Sequence, residues 1–132
     1  PQVIENKMKE SRYIEQIMIV GGDDKKFVSA LIVPSFAQVS DWAKANGIQA
    51  NNQEQIADNN MIKELINAEI EKYNPEFGKW EQVKKFNLLK KEWSVETGEL
   101  TPTMKLKRKV IYEKYKNEIE VMYMADNDWA NY

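Results

Sequence analysis

Two β-prone apolar runs, residues 14–20 and 27–33, stand either side of Gly21-Gly22-Asp23-Asp24, and Pro34 stops the second run. Paired runs around a Gly/Asp-rich segment predict an antiparallel hairpin. The connection is longer than two residues, so its turn type stays open. Helical signals surround the pair. Residues 1–10 read as a short helix, since proline suits a first turn and Ile4 and Met8 share a face. Ser35 is placed to cap a helix over residues 36–46, which Gly47 closes. The polar stretch 49–55 reads as a loop. Asn60 can cap a longer helix over 61–73, with Ile62, Leu65, Ile66, Ile70 and Tyr73 in one stripe and Asn74-Pro75 as its stop.

Residues 83–89 read as a third strand, with Phe86 and Leu88 on one face, and 92–98 as a loop. A last helix is expected over 107–123, with Ile111, Tyr115, Ile119 and Met122 inward. The polar tail 124–132 is expected to fray. Helices and strands mix without a regular βαβ alternation. That order predicts a small α+β domain: a short sheet with an antiparallel hairpin, covered by helices. No internal repeat, low-complexity segment or second domain is visible.

Composition narrows the chemistry. The 132 residues fit one domain with a modest core. A hydrophobic fraction of 42% and a charged fraction of 30% read as globular. No apolar run approaches a bilayer span, and no signal-peptide pattern is present. The chain has neither cysteine nor histidine. Disulfides, thiolate chemistry and Ser-His-Asp or Cys-His catalysis are therefore out, and zinc lacks its usual ligands. The lack of cysteine fits a cytoplasmic setting. Lysines, carboxylates, tyrosines and hydroxyls remain, so a self-sufficient active site is not expected. The start, Pro1-Gln2-Val3, lacks an initiator methionine, which gives the expectation of a piece of a longer protein.

The net charge of −2 is too balanced for a dedicated nucleic-acid binder. Residues 83–117 are nonetheless basic, with ten Lys/Arg against four acids, an excess of six. A solvated charged surface explains most such runs, and an anionic ligand or partner is the sharper reading. Trp42, Trp80 and Trp93 read as packing locally or at an interface. Glu113 and Glu118 read as partners of neighbouring lysines one helical turn away.

The segment Leu100-Thr101-Pro102-Thr103-Met104-Lys105 carries the candidate site. Pro102 fixes its own φ and pushes Thr101 towards extended geometry. The hydroxyls of Thr101 and Thr103 can tie the loop to backbone groups. Lys105 is thus presented with less entropy loss than on a glycine-rich tether. A lysine is cationic at neutral pH, so its natural role is to hold carboxylate and phosphate oxygens while charge moves between them. By residue types alone, a lysine before a helix faces solvent more often than a substrate.

This segment resembles the C-terminal signature of AMP-forming acyl-CoA synthetases, in particular the long-chain fatty-acid branch of the adenylate-forming superfamily. That branch has the pattern Leu-Thr-Pro-Thr-hydrophobic-Lys, matched here from Leu100 to Lys105. Met104 departs from the wider superfamily, where a glycine is usual. Pro1-Gln2-Val3-Ile4-Glu5-Asn6 is similar to the family segment after the interdomain hinge. Ser11-Arg12-Tyr13-Ile14-Glu15-Gln16-Ile17 and residues 27–34 also resemble that branch. The likeness spans nearly the whole chain.

The resemblance implies that residues 1–123 form the mobile C-terminal lid domain of a larger ligase. Lys105 would be the catalytic lysine of the adenylation step, positioned by Thr101, Pro102 and Thr103, with Lys107 as second choice. Fatty acid and ATP would give acyl-adenylate and pyrophosphate, and the CoA thiol would then displace AMP. ATP, Mg²⁺ and CoA would be held mainly by an N-terminal nucleotide-binding domain of the same polypeptide. No cofactor or metal is expected in this chain alone, which would be inactive by itself. The CoA-contacting residues are not assigned.

Two other readings use the basic helix over 107–116, from Lys107-Arg108-Lys109 to Lys116. One is a non-enzymatic module for nucleic acid or an anionic surface. The other is peripheral contact with a membrane surface, which would suit a lipid substrate. The acidic total charge and inward-facing aromatics weigh against nucleic acid, and the mixed charges of the helix weigh against an interfacial anchor.

Overall fold

The computed structural model describes residues 1–21 and 25–130. The elements are α1 (Gln2–Met8), β1 (Ile14–Val20), β2 (Val28–Pro34), α2 (Phe36–Ala45), α3 (Gln53–Asp58), α4 (Asn60–Tyr73), β3 (Val83–Leu88), α5 (Arg108–Lys114) and α6 (Lys116–Ala130). The expected hairpin is present: β1 and β2 pair antiparallel, from Ile14 opposite Pro34 to Val20 opposite Ser29. The predicted turn at 22–24 lies outside the described residues.

The sequence left the pairing of the third strand open. β3 joins β2 in parallel, giving a mixed sheet in the order β1-β2-β3. A parallel partner requires a crossover, and α2, α3 and α4 supply it. Asn74, buried at the end of α4, fixes the return. Its amide donates to Val83 O and accepts from Val83 N–H, both at 3.0 Å.

β2 is the central strand, and its alternation divides the core. Ala30 and Ile32 face a cluster built with Ile4, Met8, Ile62, Ile66 and Ile70. Leu31 and Val33 face a second cluster with Trp93, Leu100, Ile111, Ile119 and Met122. All four of these β2 side chains are fully buried. A side-chain period of two explains the split. β1 follows the same rule, except that Ile14 and Ile17 share a cluster. The register shift between Ile14 and Gln16 accounts for that, since a bulge flips the alternation.

Three local expectations are corrected. The stretch 49–55 does not stay a loop, because Asn52 accepts the Gln55 N–H at 2.8 Å and starts α3. The cap of α4 is Asn59 rather than Asn60. Its side-chain oxygen takes the N–H groups of Met61 and Ile62, at 2.9 and 3.0 Å. The single last helix is two helices, interrupted at Tyr115 (φ −109°, ψ 25°). No proline or glycine is there. Instead Lys114 is drawn to Glu99 while Tyr115 packs against the second cluster, and tertiary contacts on adjacent residues override propensity. Lys114 therefore does not pair with Glu118 as its spacing suggested.

Ile111, Ile119 and Met122 are buried as expected. α6 continues to Ala130, past the residue-123 boundary drawn from sequence; residues 131–132 lie outside the described residues. Trp93 is buried in the second cluster, Trp42 lies against the first, and Trp80 is exposed.

Candidate functional site

The connection from β3 to α5 crosses the sheet edge and is fastened at several points. Gln16 on β1 pairs with the backbone of Trp93 in both directions. It accepts the Trp93 N–H at 2.7 Å and donates to Trp93 O at 3.0 Å. Beyond Trp93 comes a tight loop whose carboxylate, Glu99, is only 1% exposed. Glu99 accepts from Ser94 N–H at 3.1 Å, from the Thr97 hydroxyl at 2.5 Å and from the Lys114 ammonium. Burial alone would push this carboxyl up. The bonds from Lys114, Thr97 and Ser94 outweigh it and hold the pKa at about 2. The same contact raises Lys114 above its ordinary value.

The Lys105 loop stands on this base. Leu100 and Leu106 form an antiparallel bridge, and Lys107 N–H donates to Glu99 O at 2.8 Å. Between them Thr101 N–H donates to Lys105 O, and Met104 N–H to Thr101 O, each at 2.8 Å. Met104 has φ +66°. A turn closed by one left-handed residue is a short-hairpin solution that favours glycine. The departure at Met104 therefore falls at the one non-glycine left-handed position among the described residues. Lys105 N–H donates to Thr101 Oγ1 at 3.1 Å, and the hydroxyls of Thr101 and Thr103 lie 3.1 Å apart. The loop is thus bound internally by the residue types picked out from sequence.

Alternation along 105–107 turns Leu106 inward and puts Lys105 and Lys107 on the same outer side. Both lysines are exposed, and among the described residues neither ammonium has a hydrogen-bond or ion-pair partner. They differ in surroundings. Lys105 lines a groove of about 730 Å³ with Met104, Leu106, Trp93, Lys9 and Arg108, whereas Lys107 is not among its walls. Arg108 reaches from the first residue of α5 to the buried carboxylate of Glu5 on α1, at 2.6 and 2.7 Å. That contact raises the Arg108 pKa further. Glu5 Oε2 also accepts Ile19 N–H at 2.8 Å, on the outer edge of β1.

Sequence reasoning missed Glu5, Gln16, Glu99, Arg108 and Lys114 as supports. Glu5 and Arg108 are 103 positions apart, and no local pattern joins them. Among the described residues, no group of three or more His, Cys, Asp or Glu could hold a metal ion. No described helix is long and apolar enough to cross a membrane.

A mixed three-stranded sheet with helices on both faces, presenting a lysine on a threonine-braced hairpin, defines a small α+β domain. Solved structures carry the fold. The A-PCP didomain of carboxylic acid reductase from Segniliparus rugosus, in complex with AMP, matches with a TM-score of 0.74 at 17% identity, over 94% of this chain and 16% of that one. The adenylation domain of the carboxylate reductase from Mycobacterium chelonae matches with a TM-score of 0.74 at 21% identity, over 93% and 17%.

The profile of the AMP-binding enzyme C-terminal domain matches residues 1–127, and the chain belongs to that family. It is 35% identical over 125 residues to the long-chain-fatty-acid–CoA ligase FadD15 of Mycobacterium tuberculosis, and 32% identical over 125 residues to the human long-chain-fatty-acid–CoA ligase 6. Each alignment covers 93% of this chain but only 20% and 18% of those relatives, so the chain spans about a fifth of their length. The reading as a nucleic-acid module finds no support in these matches. Arg108 and Lys114, two of the cations it relied on, are bound to Glu5 and Glu99.

Proposed function

We propose that this chain is the lid of an AMP-forming long-chain fatty-acid CoA ligase and that Lys105 supplies the ammonium of its adenylation step. The observation that carries the reading is the pairing of a rigid loop with a free charge. Thr101, Pro102 and Thr103 fix the hairpin, while the Lys105 ammonium projects from it without a partner among the described residues. A buried or paired lysine would have to break a contact to reach a substrate; this one does not. Lys107 shares the outer side but not the groove, so it is the weaker choice.

In this reading the ammonium meets the fatty-acid carboxylate and the phosphate that it attacks, and stabilises charge as it moves between them. Pyrophosphate leaves. The domain then turns on the larger N-terminal domain, so that another face meets the adenylate while the CoA thiol displaces AMP. ATP, Mg²⁺ and CoA belong mainly to that larger domain. The setting is cytoplasmic, with any membrane contact peripheral, and liposome flotation of the chain tests the latter. The domain body is residues 1–123, and the chain alone forms no acyl-CoA.

The test is Lys105→Ala in the longer polypeptide, assayed one half-reaction at a time. Adenylation, read by ATP–pyrophosphate exchange, should fall about 10²–10³-fold, the scale of losing one transition-state charge partner. Thioester formation from supplied acyl-adenylate should survive. Loss in both halves alike, or in neither, overturns the role.

A further inference from the structure

We propose that Glu5 and Arg108 are positioning residues that set the direction in which Lys105 is presented; this rests on the role given to Lys105 above. The bonds inside the loop give it shape but not orientation. Thr101, Thr103, Met104 and Lys105 bind one another, and the Leu100–Leu106 bridge closes the hairpin. None of these contacts reaches the wall of the groove opposite. Arg108 does. It stands three residues after Lys105 and opens α5. Lys107 N–H, held by Glu99 O, leaves little slack between the two.

The contact is built for direction. Arg108 Nη2 donates to Glu5 Oε1 and Nη1 to Glu5 Oε2, a two-pronged pairing of planar groups that fixes angle as well as distance. The Glu5 side chain is 5% exposed, so the carboxylate has no room to swing. Its Oε2 also takes Ile19 N–H, an outward amide of the edge strand. The hairpin is thereby referred to the sheet itself and not only to a short helix. The Arg108 side chain is 42% exposed, and an ion pair with one partner open to solvent contributes little stability of its own. What it adds here is geometry: α1, the edge of β1 and the start of α5 meet at one carboxylate beside the groove that Lys105 lines.

The test uses Arg108→Lys, Arg108→Gln, Glu5→Gln and the Glu5→Gln/Arg108→Gln double variant, alongside Lys105→Ala. Arg108→Lys keeps the charge and loses the two-pronged geometry. In the longer polypeptide, each single variant should lower adenylation kcat about 10–100-fold, as misplacement of a reacting group does. KM for ATP should hold, and thioester formation from supplied acyl-adenylate should be unchanged. The double variant should be no slower than the slower single, because the two residues act as a unit. In the 132-residue chain, the amides of Met104, Lys105 and Lys107 should exchange faster in Arg108→Lys while those of α4 keep their protection.

A folded Arg108→Lys with normal adenylation overturns the proposal. So does equal loss in both halves, additivity in the double variant, or failure of every variant to fold, which would make the pair structural. If Lys105→Ala leaves adenylation intact, the reading of Lys105 fails instead, and the amide-exchange result still judges the clamp.

Discussion

Lys114, the last residue of α5, donates to the buried carboxylate of Glu99, which also takes the Thr97 hydroxyl and the Ser94 amide. The pairing has a consequence for acid stability. The Glu99 carboxyl titrates at about 2 in the folded chain against an ordinary 4.5. A depressed acid contributes stability that is present above its unfolded pKa and is lost as pH falls through the folded one. Urea melts should therefore show a midpoint that drops between about pH 4.5 and pH 2, and Glu99→Gln should flatten that part of the drop. An unaltered acid profile in Glu99→Gln would mean that the carboxylate is not held as described.

Met104 occupies the left-handed region at φ +66°, where a side chain costs roughly 1–2 kcal/mol. Met104→Gly removes that strain but loosens the unfolded chain, so its stability should change by less than about 1 kcal/mol. Met104→Ile adds a β-branch at the same φ and should cost about 1–2 kcal/mol. The order Gly above Ile in chemical denaturation is the outcome to check.

Gly47 ends α2 at φ +70°, with Ile48 N–H donating to Ala43 O at 2.8 Å and Gly47 N–H to Lys44 O at 3.2 Å. This is the two-bond closure in which glycine is preferred. A Cβ there would meet nothing within 4 Å. Gly47→Ala should thus cost about 1 kcal/mol, from backbone conformation alone. A loss several times larger in a thermal melt would point to a clash that the structure lacks.

Tyr123 docks α6. Its hydroxyl lies 2.9 Å from the hydroxyl of Ser29, which is fully buried, and 2.8 Å from Phe27 O. Tyr123→Phe leaves the ring contact with Phe27 but strands those groups, and should cost about 1–3 kcal/mol. Equilibrium unfolding of the two chains checks it.

Much of the fold is legible because it rests on local period. Of the stripe Ile62, Leu65, Ile66, Ile70 and Tyr73, which follows helical spacing, all but the half-buried Leu65 are buried. The hairpin runs and the Gly47 stop are local signals of the same kind. The Thr-Pro-Thr brace before Lys105 is also local, and its bonds form within five residues. What escapes the sequence is what joins distant positions. The parallel docking of β3 depends on a crossover and on Asn74 meeting Val83. The break at Tyr115 depends on Glu99 pulling Lys114. The Glu5–Arg108 contact joins positions 103 apart, and in sequence Glu5 is simply one acid in a polar helix.

In the proposed reading Lys105, and not its neighbour two residues on, carries the adenylation charge. The direct measurement compares Lys105→Ala with Lys107→Ala by ATP–pyrophosphate exchange in the longer polypeptide. The prediction is a fall of about 10²–10³-fold for Lys105→Ala and near-normal exchange for Lys107→Ala, which does not line the groove. The reverse order, or an equal fall in the two variants, would contradict it.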